Sequence, residues 1–332
     1  MKALRALVVL LIALQVVSCG GSGNGPVRMA LVANSHTHLA VPLAEKLGFY
    51  QQEGVDVVIE SLPSTQKTTE ALLAGSAEMA TGGYDHLLQL VASGRALRSV
   101  VVNTIRDNRS IFASPLRKDI RSLRDLRSRN VGVPGLGSSN HLFVLHALAL
   151  HGLRSDDASF AGVGVGATLI HALERGVVDA AVASLFDGVL LQRRNPGIAV
   201  LVDASTPDGA KALWQSESAP FAVVFAKTEW IEANRDKVAR IARADRQALA
   251  WLRTHSAEEL LAILPAGYQT ADKETDLAGL RAIQPLYSPD GRMPRAGAEA
   301  LLAALARTQD SFRNAKIDVA ATYTDEFILE KP

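Results

Sequence analysis

Val27-Arg28-Met29-Ala30-Leu31-Val32-Ala33, then Leu39 to Gly48, then Val55-Asp56-Val57-Val58-Ile59-Glu60, then Thr65 to Ala74 closed by Gly75, decide the fold class. Two short runs rich in β-branched and aliphatic residues alternate with two stretches whose apolar residues recur at three and four. This is how strand and helix follow one another in βαβ units. Glu78 to Thr81 reads as a third strand, and Gly82-Gly83 turns into a helix over Asp85 to Ser93. The alternation continues. Strands are expected over Leu97 to Ile105, Ser110 to Ser114, Asn130 to Val133, Ala158 to Val163, Asp179 to Ala183 and Ile198 to Val202. Helices are expected over Leu123 to Ser128, Ser139 to His151, Ala167 to Arg175 and Phe186 to Arg193. After Pro207 and Gly209 an apolar strand, Phe221 to Ala226, precedes a purely helical remainder: Trp230 to His255, Ala257 to Leu264, Thr270 to Ile283 and Ala296 to Arg307. The class is α/β.

Upstream of this pattern, Lys2 and Arg5 precede the uncharged run Ala6 to Leu14 and then Gln15-Val16-Val17-Ser18-Cys19, the layout of a secretory leader. The run is shorter than the ~20 residues that span a bilayer. Cys19, the sole cysteine, is the expected lipid-attachment residue, followed by a Gly/Ser/Asn leash from Gly20 to Gly25. The protein is therefore expected in the periplasm or at the cell surface, held to a bacterial membrane by lipid alone. A single cysteine excludes an internal disulfide and a thiolate metal cage. The formal charge of +1, with no basic block interleaved with aromatics, argues against nucleic acid as a partner.

Small and hydroxyl residues gather where strands end and helices begin: Asn34-Ser35-His36-Thr37, Thr81-Gly82-Gly83-Tyr84, Gly135-Leu136-Gly137-Ser138-Ser139-Asn140 and Ser184-Leu185-Phe186. In open α/β sheets the carboxyl ends of the strands are where ligands bind, because helix amino ends present unpaired N–H groups there. Gly137 to Asn140 suits an anionic oxygen, yet Ser138 or Ser139 also caps the next helix whether or not a ligand is present. A P-loop is excluded, since Ser138 stands where its lysine belongs.

The ordered set Leu47-Gly48-Phe49-Tyr50-Gln51-Gln52-Glu53-Gly54-Val55-Asp56-Val57, Leu72-Leu73-Ala74-Gly75-Ser76-Ala77-Glu78, Leu123-Arg124-Asp125-Leu126 with Val131-Gly132-Val133-Pro134, and Ala172-Leu173-Glu174-Arg175-Gly176-Val177-Val178-Asp179-Ala180-Ala181 resembles the nitrate/sulfonate/taurine and thiamine-precursor family of ABC-transporter substrate-binding proteins. The likeness spans about Ala30 to Val202. It implies a two-lobed periplasmic-binding-protein fold of type 2 with two crossover strands and a C-terminal helical layer. Lobe 1 is expected over 27–112 and 215–332 and lobe 2 over 113–214, behind a leader over 1–19 and a linker over 20–26. It further implies a monomer that captures a small molecule for ABC permease subunits, without cofactor, metal or catalysis. The implied cleft residues are Ser35, His36, Thr37, His38, Gly82, Gly83, Tyr84, Gly137, Ser138, Ser139, Asn140, Val165, Ser184, Phe186 and Asp187. His38, with Ala44 and Gly48-Phe49-Tyr50, is similar to the thiamine-pyrimidine branch, although Ala33-Asn34-Ser35 departs from it. The ligand class stays open between a sulfonate, a carboxylate and a pyrimidine-like ring. A sensing lipoprotein would carry the same sequence.

Two rival chemistries are weak. No Gly-x-Ser-x-Gly elbow is present, and no carboxylate stands at triad spacing from the serines near His141. His141, His146 and His151 are spaced by fives, which turns each ring roughly 140° from the last on a helix, away from joint ligation. Asp85 and Asp187 suit either a ligand amine or a helix first turn. Arg106 and Arg109 stand near the first crossover and are left outside the expected site.

Overall fold

Ten strands form two mixed five-stranded sheets in the computed structural model of the protein, which describes residues 25–270 and 272–329. In chain order, β1 to β4 are Val27–Val32, Val57–Leu62, Met79–Gly83 and Leu97–Val102. Next, β5 to β9 are Arg109–Ala113, Asn130–Val133, Ser159–Gly162, Ala180–Ser184 and Val200–Asp203, and β10 is Ala222–Lys227. The first sheet has the order β2-β1-β3-β10-β4 and the second β7-β6-β8-β5-β9. β1 runs parallel to β2, with Met29 opposite Ile59, and parallel to β3. β10 runs antiparallel between β3 and β4, and β5 does the same between β8 and β9. Each sheet thus takes its one antiparallel strand from the chain that has just crossed between lobes, giving two crossovers, over 103–108 and 204–221.

The inner strands β3 and β5 are buried along their whole length, whereas the edge strands β2 and β7 expose alternate or terminal residues. This corrects one boundary. The expected end of the first lobe at residue 112 falls inside β5, whose residues are hydrogen-bonded to β8 and β9, so the second sheet begins at Arg109. The leader, Cys19 and the linker before Gly25 lie outside the described residues.

Around the first sheet pack helices from both ends of the chain. The expected helix from Trp230 to His255 is two, Thr228–Ala233 and Arg235–Thr254, because Asn234 leaves the helical region at φ −129°, ψ 34°. The longer one buries Val238, Ile241, Ala242, Ala248, Leu249 and Leu252 at helical spacing, and Asp245 with them. Tyr50 donates its hydroxyl to Asp245 Oδ1 at 2.6 Å, while Oδ2 is buried without a partner. Burial pushes the Asp245 carboxyl up to about 7, and the Tyr50 bond only partly offsets it.

Helix Pro207–Trp214 occupies a stretch expected to be loop. Thr206 caps it, accepting from Gly209 N at 3.1 Å, and Pro207 stands at the first position, where its missing N–H costs nothing. Gly209 is glycine because a Cβ there would collide with the Asp203 carbonyl. Among the described residues no helix is long and apolar enough to cross a membrane.

Candidate functional site between the lobes

The carboxyl ends of β1 and β3 and those of β6 and β8 lead into the loops singled out in the sequence, and the two sets meet. On the first lobe, Asn34 takes a left-handed φ of 53° and the next residues form a single 3-10 turn. Ser35 Oγ lies 2.9 Å from Thr37 Oγ1, and the Tyr287 hydroxyl donates to His36 O at 2.8 Å. His36 Nε2 stands 2.9 Å from the Tyr268 carbonyl oxygen, which only accepts, so Nε2 carries the proton. Burial pulls the ring down to about 4, which leaves it neutral near pH 7.

The other face of His36 belongs to the second lobe. Phe186, at the start of helix Leu185–Arg194, stacks on it with centroids 3.5 Å apart and planes 14° apart, and the Tyr268 ring meets the same imidazole edge-on at 5.6 Å. Phe186 also lies against Gly279 of helix Lys273–Ile283, where a Cβ would sit 2.5 Å from its ring. Helix Leu185–Arg194 therefore closes on the C-terminal layer as well as on His36.

A second contact across the lobes is ionic. Arg109 opens β5 and is 2% exposed, with its guanidinium over the rings of Phe143 at 4.5 Å and Phe221 at 4.8 Å. Its Nε donates to Asp107 at 2.8 and 2.9 Å, its Nη1 to Ser139 O at 3.0 Å and Ser139 Oγ at 2.9 Å, and its Nη2 to Asp107 and to Asp85 Oδ2 at 3.1 Å. Ser139 Oγ donates to the same Asp85 oxygen at 2.7 Å. Asp85 belongs to helix Tyr84–Ala92 of the first lobe and Ser139 to helix Ser139–Leu150 of the second. Burial alone would lower the guanidinium and raise Asp107; the two carboxylates nevertheless hold Arg109 above its ordinary value.

The remaining sequence candidates divide. His38 is 3% exposed, with Nδ1 3.4 Å from Asn103 Nδ2 in the first crossover, and burial pulls it down to about 3. Gly137, at φ 76°, donates its N–H to His141 Nδ1 at 2.9 Å, and Ser138 caps the helix by accepting from His141 N at 3.3 Å; Asn140 is half-buried at the same helix end. Ser184 caps the Phe186 helix and bonds Asp187 Oδ2 at 2.9 Å; burial raises that carboxyl, and Gly166, beside the 64% exposed Val165, lies against it. Gly82 and Gly83 are buried at the end of β3, paired to β10, and a Cβ on Gly82 would sit 2.6 Å from Thr65.

Tyr84 does not join them. Its ring is fully buried in the core, and its hydroxyl pairs with Thr322 Oγ1 at 2.5 Å. The histidines spaced by fives also part: His146 is held between Thr308 Oγ1 at 2.7 Å and Leu213 O at 3.1 Å and stacks on Trp214, while His151 bonds Ala147 O at 3.0 Å. Among the described residues no three acidic, histidine or cysteine side chains gather as a metal set. Asp107, Tyr268, Tyr287 and Gly279 had no local signal, since their partners lie far away in sequence or depend on which side a crossover residue faces.

Residues 35–259, more than half of the chain, match the family described as NMT1/THI5 like. The chain belongs to the NMT1/THI5-like family. A protein from Bordetella bronchiseptica RB50 is 29% identical over 91% of this chain and 95% of its own, with a TM-score of 0.84. The alkanesulfonate-binding protein SsuA from Xanthomonas axonopodis pv. citri, bound to MOPS, is 18% identical over 90% and 98%, with a TM-score of 0.69. The periplasmic nitrate-binding protein NrtA from Synechocystis PCC 6803 is 13% identical over 91% and 86%, with a TM-score of 0.67. At these identities the last two show the fold alone, and this NMT1/THI5-like chain has the periplasmic-binding-protein fold expected from its sequence. No curated protein matches the sequence.

Proposed function

We propose that this protein is an extracytoplasmic solute-binding protein, lipid-anchored through Cys19, that captures a small organic molecule or anion, sulfonate-, carboxylate- or pyrimidine-like, between its lobes and delivers it to an ABC importer. The observation that carries this is the stack of His36 on Phe186, one ring from each lobe, where the strand ends of both sheets converge. Rings that part by one further stacking distance would admit a flat ligand between them, and hinge bending at the two crossovers would provide the movement. That structural neighbours are an alkanesulfonate-binding and a nitrate-binding protein supports capture of a small solute, and the leader-like amino end supports export. The polar groups at the cleft hold one another, which fits binding better than turnover.

A thermal-shift series on the full-length protein tests this, with sulfonates, nitrate, aromatic carboxylates and aminopyrimidines, and native mass spectrometry for any retained ligand. A ligand at a hundred times its dissociation constant stabilises the form it binds by about 2.7 kcal/mol, enough for a shift of several degrees. One class is expected to give that shift and to lose it in Phe186→Ala. A folded protein that responds to none of the classes and retains no small molecule would count against solute capture.

A further inference from the structure

The junction between the first-lobe loop at Gly83 and the second-lobe helix end at Ser139 is filled by a side chain of the protein itself. We propose that Asp85 is a specificity-determining residue of the cleft, whose carboxylate occupies the amino end of helix Ser139–Leu150 and one edge of the Arg109 guanidinium and so excludes anionic ligands in favour of neutral or cationic rings. This rests on the solute-binding reading and narrows it to the pyrimidine-like alternative.

Three observations carry it. First, Arg109 has no donor to spare: one N–H on Nε and two on each terminal nitrogen all meet Asp107, Asp85 or Ser139. A ligand anion would have to displace an internal carboxylate to gain that guanidinium. Second, Asp85 is fixed at both oxygens. Oδ2 takes Ser139 Oγ and Arg109 Nη2, and Oδ1 takes His86 N at 2.8 Å, in a position open only because Gly83 lacks a Cβ. Third, the charges around the junction are unbalanced. Two carboxylates, Asp85 and Asp107, face one guanidinium, and the nearby histidines do not offset them: burial lowers His86, which follows Asp85, and holds His146 neutral near pH 7. A second anion brought to this place meets like charge, the device by which a binding site rejects one ligand class while accepting another.

The test is calorimetric titration of the full-length protein with nitrate and with methanesulfonate, run beside one neutral aminopyrimidine. The wild type is expected to show no heat of binding for either anion at millimolar concentration. Asp85→Ala is expected to gain affinity for methanesulfonate by about tenfold or more, because it frees Arg109 Nη2 and the Ser139 hydroxyl and removes one negative charge. Trp214, which lines a small cavity with Asp85 and Arg109, gives a fluorescence readout of the same event. Should Asp85→Ala not fold, Asp85→Asn removes the charge and, with its one oxygen turned to Arg109 and Ser139, keeps those two contacts while giving up the one from His86 N, with the same gain expected at smaller size. A folded variant as blind to both anions as the wild type overturns the proposal, and so does a wild type that binds either anion at micromolar concentration. A wild type that binds neither the anions nor the ring counts against solute capture itself, and the gain in the variant still decides the role of Asp85.

Discussion

Replacing Asp245 by asparagine should abolish the pH dependence of one part of the folding energy. The carboxyl is fully buried in helix Arg235–Thr254, holds one hydrogen bond from Tyr50 and leaves Oδ2 without a partner. Its value rises from 3.8 to about 7, because burial penalises the charged form. The folded state therefore binds this proton more tightly than the unfolded chain. The stabilisation is complete below pH 3.8 and is lost as pH rises towards 7, at about 1.4 kcal/mol per unit, or roughly 4 kcal/mol in all. Asparagine keeps the oxygen that accepts from Tyr50 and cannot ionise, but it buries an NH2 group where Oδ2 stood, at a fixed cost of about 1 to 3 kcal/mol. The difference in unfolding energy between Asp245→Asn and wild type should therefore move in favour of the variant by about 3 kcal/mol from pH 5 to pH 8, whatever its offset. Urea unfolding followed by circular dichroism at several pH values measures this, and every other titrating group cancels in the difference. A difference flat to within about 0.5 kcal/mol across that range would refute the reasoning. Tyr50→Phe supplies a check of direction: losing the donor should raise the midpoint further.

Gly279→Ala should weaken ligand binding about tenfold while leaving the lobes folded, because alanine favours the helix but its Cβ meets Phe186; equal affinity in titrations would show that this contact has no part in closure. Tyr84→Phe should cost about 1 kcal/mol of stability through loss of the Thr322 bond and leave ligand affinity unchanged, and a large affinity loss would return Tyr84 to the cleft. His38 and His146 have values lowered by burial to about 3 and about 4, so each adds stability that is present above pH 6.5 and lost as pH falls. Between pH 6.5 and 5 this is about 2 kcal/mol for each, and a His146→Gln variant should show a smaller loss than wild type in urea melts over that interval.

The alternation of strands and helices was legible because it depends on local periodicity. Val27–Val32, Thr65–Ala74 and Asn130–Val133 fall within a residue of where the pattern puts them. The crossover boundary was not legible, since the expected strands Leu97 to Ile105 and Ser110 to Ser114 lie only four residues apart and only pairing tells which sheet takes the second. Helix Pro207–Trp214 had a start signal in Thr206-Pro207, but Gly209 read as a breaker when it in fact relieves a collision with Asp203. At the site, the loop neighbourhoods were readable from glycine and hydroxyl placement, and side-chain direction was not. Tyr84 follows two glycines at a strand end, as a cleft residue would, yet it turns inward to Thr322, 238 residues away. Arg109 stands beside a hinge, where a charged residue is usually solvated; its burial depends on Phe221, which reaches its guanidinium only once both crossovers are made.

The place of β10 sets an order on folding. It lies between β3 and β4, so the first sheet stays split into β2-β1-β3 and a lone β4 until residue 227 has emerged, by which time β5 to β9 are all available to pair with one another. The second lobe is contiguous in sequence, whereas the first must close a loop of more than a hundred residues around it, an entropic cost that slows assembly. Emerging amino end first, the chain therefore holds its first three strands in an incomplete, slow-closing sheet until residue 227 of 332 has followed.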